Sequence, residues 1–131
     1  MINAAFLVGR IIFGLFWLSA GFAHFKNLDS LTEYAKAKGT PAPKFAVAGS
    51  GVMLALGGLS ILLGTCPRVG ITLLVLFLLG ASFQMHNYWK VDDPKMKQAD
   101  QMNFMKNMAM VGALLMLLSL PQPWPVSLWF R

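Results

Sequence analysis

Apolar residues gather in four stretches of the chain, Ala4 to Ala23, Phe45 to Leu63, Val69 to Met85 and Phe104 to Leu120, and none contains an acidic residue. A helix needs ~20 apolar residues to cross the hydrocarbon of a bilayer, with ~17 the lower bound. Each stretch is therefore predicted to be a transmembrane helix, the last two running on into their flanks. The fold class expected is all-α: a membrane four-helix bundle, one domain over residues 1–131. The first stretch reads as a retained helix rather than a cleaved leader, because no basic residue precedes it and it exceeds the usual signal core of ~7 to 15 residues.

Within the first helix, Arg10, Gly14, Trp17, Gly21 and His24 recur at steps of four, three, four and three. They form one stripe, predicted to face the bundle interior, since small residues admit a neighbouring backbone and intramembrane charges avoid lipid. Between the first two spans, Asp29 to Gly39 predicts a short interfacial helix. Ser30 and Glu33 have capping-box spacing, Leu28, Leu31 and Tyr34 share a side, and Gly39, Pro41 and Pro43 stop it. The second span offers Ala48, Gly51, Ala55, Gly57 and Gly58 for close packing, which also makes a homo-oligomer an expected possibility. Asp93 followed by Pro94 predicts a helix start, so the fourth helix begins before its apolar part. Pro121, Pro123 and Pro125 follow it, with Trp124 and Trp129 suited to the aromatic belt.

Composition agrees with the bilayer as solvent: 56% hydrophobic and 12% charged residues, with a mean hydropathy of +0.60. The net charge of +6 follows membrane topology rather than nucleic-acid binding. Lys26, Lys36, Lys38, Lys44, Lys90, Lys95, Lys97 and Lys106 cluster in two loops, against Arg10, Arg68 and Arg131 on the other side. By the positive-inside rule, loops 24–44 and 86–103 are predicted cytoplasmic and both termini outside. Cys66 is the sole cysteine, so neither an internal disulfide nor a CxxC pair exists. The methionines fall on several helix faces without a repeat, and two histidines lack metal-ligand spacing, so no metal site is expected.

Polar groups collect at the predicted cytoplasmic ends: His24 and Lys26; Gln84, His86 and Asn87; Asn103, Lys106 and Asn107. At membrane depth such groups must meet each other or a cavity. One reading is a site for a quinone head group, whose carbonyl oxygens need donors such as Asn, Lys or His, with an imidazole moving the proton. The other is that these groups only bind the helices together. Arg10 lies about 21 Å along the helix from His24 and has no carboxylate at its own depth. Its internal options are carbonyls near Gly64 and Leu120 with Ser60, Thr65, Thr72 and Ser119; its external ones are an anionic or carbonyl ligand, or a partner subunit.

The chain resembles the DoxX family of small four-helix membrane proteins. The resemblance rests on Arg10 with Gly14 and Gly21, the run from Gly39 to Pro43, and the block from His86 to Gly112, with HNYWKVDDP followed by NFMKNMAMVG. It implies a bacterial inner-membrane protein of a quinone-linked redox or thiol and sulfur-stress system, the family including a membrane subunit of thiosulfate:quinone oxidoreductase. The residues it singles out are Arg10, His86, Asn87, Trp89, Lys106 and Asn107: His86 as proton relay, Asn87, Lys106 and Asn107 as donors to a quinone, Trp89 as wall or anchor. No flavin, haem, iron-sulfur or nucleotide motif is present, so electrons would come from a redox partner protein or a thiol donor. A non-catalytic scaffold or assembly factor and a small-molecule transporter are the alternatives.

Overall fold

The structure, a computed structural model, describes residues 3–128. Trp129 and Arg131, assigned above to the aromatic belt and to the outer side, lie outside the described residues. The chain forms α1 (Ala4–Lys26), α2 (Leu28–Ala37), α3 (Pro43–Leu63), α4 (Pro67–Met85), a 3-10 turn (Tyr88–Lys90) and α5 (Pro94–Leu118), with no strand among the described residues. Three segments are long and apolar enough to cross a membrane: α1, α3 and α4 with its following turn. The fourth expected span does not reach that measure. Although α5 is 25 residues long, Lys95, Lys97, Asp100 and Lys106 make its first half polar.

Local chemistry explains the boundaries. Asn3 caps α1, its side chain accepting from the Phe6 N–H at 3.3 Å. Proline opens α3, α4 and α5, where a missing N–H costs nothing. Gly39 (φ 76°) and Gly64 (φ 70°) take the left-handed conformation that ends α2 and α3. The capping box expected at Ser30 and Glu33 is not formed. Asn27 ends α1 and starts α2 at once, three residues before the N-cap position the box would give Ser30, and the Ser30 hydroxyl donates back to the Asn27 carbonyl.

Helices pack in the order α1, α3, α4, α5, with α2 lying against α3. The buried residues of α1 are Arg10, Gly14, Trp17 and Gly21, four of the five members of the stripe, with His24 half-buried. Glycine sets the α1–α3 approach: a Cβ on Gly58 would stand 2.5 Å from the Leu18 backbone nitrogen, and one on Gly21 2.7 Å from that of Ala55. Gly51, Gly57 and Gly58 are all buried within the chain. The small face of this helix, expected to be open for self-association, is consumed by α1 and by Leu74 of α4. Trp17, Leu54, Ile61, Leu74, Leu78 and Leu114 form the core.

Beyond α5 the chain returns across the end where α3 turns into α4. The Leu128 N–H donates to the Leu63 carbonyl at 2.9 Å, and the Thr65 hydroxyl donates to the Leu128 carbonyl. Trp124 is 3% exposed, edge-on to Phe6 with ring centres 5.4 Å apart. It is a core residue and not the membrane-surface anchor expected, because this strap folds inward instead of running along the interface.

Candidate functional site

At the end of the molecule opposite this strap, three charged or titratable side chains from separate elements converge. Asp100 of α5 is 5% exposed. One carboxylate oxygen accepts from Lys38 Nζ at 2.6 Å and the other lies 3.1 Å from His86 Nδ1. Burial works to raise the Asp100 pKa, but the hydrogen bonds and charges of Lys38 and His86 outweigh it and hold the carboxyl below its ordinary value. An ionised carboxylate only accepts hydrogen bonds, so His86 Nδ1 carries the proton that it donates. Nearby, Gln84 Nε2 donates to the Lys38 carbonyl at 3.1 Å. The α2–α3 loop, α4 and α5 are thereby joined at one point. Tyr34 of α2 feels the same centre: burial, then the charge of Asp100, raise its pKa, with Lys38 opposing.

Beside this junction lies a cleft of about 490 Å³ between α2, α3 and α4. Its walls are apolar, including Leu31, Val47, Met53, Leu76, Phe77 and Met85. Phe45 and Leu76, 81% and 56% exposed, stand at its edge, so its mouth opens outward between helices long and apolar enough to cross a membrane. His24 of α1 and His86 both line it. His24 Nδ1 is 3.1 Å from the Val47 carbonyl and 3.1 Å from Ser50 Oγ, and the ring meets Phe77 edge-on at 5.8 Å.

The residues expected to surround a ligand divide here. His24 and His86 reach the same cleft, whereas Asn87, Trp89, Asn103, Lys106 and Asn107 are not among its lining. Asn103 and Lys106 are exposed and Asn107 is half-buried. Asn107 lies seven residues from Asp100, on nearly the same face of α5, and Lys106 is turned about 100° away from it. Trp89 joins Phe83, Tyr88 and Phe104 in an aromatic cluster, with its centre 5.7 Å from that of Phe104. Lys38, Tyr34 and Asp100 were not expected as site residues. The only signals were that Asp100 shares a face of α5 with Asn103 and Asn107, and that Tyr34 lies on the apolar side of the surface helix.

Arg10 belongs to the other end. Its Nη1 donates to the Pro125 carbonyl at 2.6 Å, and Nη2 to those of Val126 at 2.7 Å and Leu62 at 3.2 Å. The guanidinium lies 6.0 Å from each of the Phe6 and Trp124 ring centres. The carbonyl at the end of α3 is one the sequence offered. The other two come from the strap rather than from the end of α5 at Leu120, and the hydroxyls of Ser60 and Thr65 serve the α3–α4 turn and the strap instead. Arg10 also borders a groove of about 560 Å³ between α1 and α5. Among the described residues no cluster of His, Cys, Asp and Glu could hold a metal ion.

Residues 5–87 match the DoxX family. The match covers α1 to α4 and stops at Asn87, so most of the block from His86 to Gly112 lies beyond it. No curated protein and no solved structure matches the chain.

Proposed function

The chain belongs to the DoxX family and is a membrane protein, and from this premise we propose that it is the membrane component of a quinone-linked redox or thiol and sulfur-stress system. The cleft takes the ring of a quinone-like lipid, and His86 exchanges protons with it. The observation that carries this reading is the pairing of two imidazoles with aromatic and aliphatic walls in a cleft edged by the exposed apolar side chains Phe45 and Leu76. Pockets for small ligands share that form: apolar walls and a few placed polar groups. Electrons come from a reduced partner protein or a thiol donor, since the chain carries no redox centre motif of its own.

The same reading makes α5 the fourth crossing, in a bacterial inner membrane with the lysine-rich loops cytoplasmic. Supporting this, α5 would be about 37 Å long at 1.5 Å per residue, more than the ~30 Å hydrocarbon thickness. It packs on α4, and the strap that follows it meets Arg10 and Leu63 at the far end.

Gly49 and Gly80 line the cleft, and a Cβ at either would touch nothing within 4 Å. Gly49→Leu and Gly80→Leu therefore start a bulky side chain from open positions on the cleft wall and are expected to fill it. Binding of a short-chain ubiquinone analogue to purified protein should weaken at least ~10-fold in both, equal to ~1.4 kcal/mol, with thermal stability retained. Binding that ignores both substitutions would place the ligand elsewhere. Absence of binding to the unmodified protein would favour a scaffold, a reading that the Lys38–Asp100–His86 junction and the Arg10 clamp also support as pure locks.

A further inference from the structure

The hydrogen-bond polarity of the cleft says which form of the ligand it prefers. A quinone carbonyl accepts hydrogen bonds, whereas a hydroquinone presents two O–H donors. The donors on the cleft wall are largely spent: the Thr40 hydroxyl on Met85 Sδ at 3.4 Å, the Ser50 hydroxyl on the Val47 carbonyl at 3.0 Å, and one Gln84 amide hydrogen on the Lys38 carbonyl at 3.1 Å. The Tyr34 hydroxyl and the second Gln84 hydrogen remain.

The two imidazoles are polarised the other way. Ionised Asp100, 3.1 Å from His86 Nδ1, demands a proton there, and whenever the ring is neutral that proton leaves Nε2 as a bare acceptor. His24 is subject to the same logic. The Val47 carbonyl, 3.1 Å from its Nδ1, can only accept, and a protonated Nδ1 leaves the Ser50 hydroxyl, 3.1 Å from the same nitrogen, to donate to that carbonyl at 3.0 Å. A bare Nδ1 would set a lone pair against a carbonyl lone pair, so Nδ1 bears the proton and Nε2 again accepts. No hydrogen bond among the described residues uses either Nε2 atom.

We infer that this cleft is built for a hydrogen-bond-donating ring, binding the reduced hydroquinone of a lipid quinone more tightly than the quinone, with His24 Nε2 and His86 Nε2 as acceptors. Asp100 is the positioning residue that fixes the His86 tautomer, and Lys38 steadies Asp100. The inference rests on the quinone reading above and sharpens it.

The test compares a short-chain ubiquinol, under anaerobic conditions, with the matching ubiquinone on purified protein at pH 8, above the ordinary imidazole range of ~6.5. Ubiquinol should bind about 10-fold tighter or more, as expected where a site leaves acceptors unmet by the oxidised form. His24→Phe and Asp100→Asn should each bring the two affinities together. Equal affinities, or tighter ubiquinone, would overturn the inference and leave the quinone reading standing; no binding of either form would remove both. Nitrogen-15 shifts of the two imidazoles provide a readout independent of ligand. Protonation at Nδ1 is expected in the unmodified protein, lost at His86 in Asp100→Leu, while Nε2–H tautomers at either histidine would sink the inference by themselves.

Discussion

A buried carboxylate with two cationic or titratable neighbours is held by a balance that shows when one partner is removed. Asp100→Leu leaves Lys38 facing an apolar side chain and frees His86, so a loss of about 1–3 kcal/mol is expected in chemical or thermal denaturation. The lower part of that range is the better guide, since the Lys38 side chain keeps 14% exposure. The double change Lys38→Met with Asp100→Leu should cost less than the sum of the singles. The pH dependence has a definite sign: the Asp100 pKa is lowered on folding, so its stabilisation is complete above the unfolded carboxylate value of ~3.9 and is lost as pH falls through the folded one. The stability gap between the protein and Asp100→Asn should stay level near neutrality and close on acidification. Sequence could not reveal this centre. Lys38 and Asp100 lie 62 positions apart, and no local spacing connects a loop lysine with an aspartate on a distant helix.

At the scale of helices, periodicity was a sound guide wherever a face had to be apolar or small. The stripe on α1 could be read because steps of three and four keep residues on one side, and the structure buries it from Arg10 to Gly21. Which neighbour a small face meets could not be read in the same way, since Gly51, Gly57 and Gly58 suit an internal helix as well as a second copy. The rotation of α5 escaped prediction too: Asn103, Lys106 and Asn107 cannot all point one way, and burial of Asp100 and Leu114 decides among them. Close packing gives a test. Gly58→Ala must push a methyl to 2.5 Å from the Leu18 backbone, so about 1–3 kcal/mol of destabilisation is expected. Gly112→Ala, with nothing within 4 Å, should be neutral or slightly stabilising through its better helix propensity.

Across the whole molecule, the two polar centres stand at opposite ends of one bundle, and their sidedness can be measured. Cys66 is exposed in the α3–α4 turn, so an impermeant thiol reagent should label it in intact cells if that turn is outside. Labelling only in inverted vesicles would reverse the proposed orientation. The membrane nature of the chain was legible from hydropathy alone, while the strap was not, because its prolines signal a helix end but not the direction taken afterwards. That strap also bears on how the protein is made. Arg10 reaches the bilayer with the first helix, yet two of its three carbonyl partners are supplied by Pro125 and Val126, 115 and 116 positions later. During synthesis the first helix must therefore hold a cation in hydrocarbon, or let it snorkel to the surface, until Pro125 and Val126 have left the ribosome. Its final seat in the membrane is set by the segment that emerges last among the described residues.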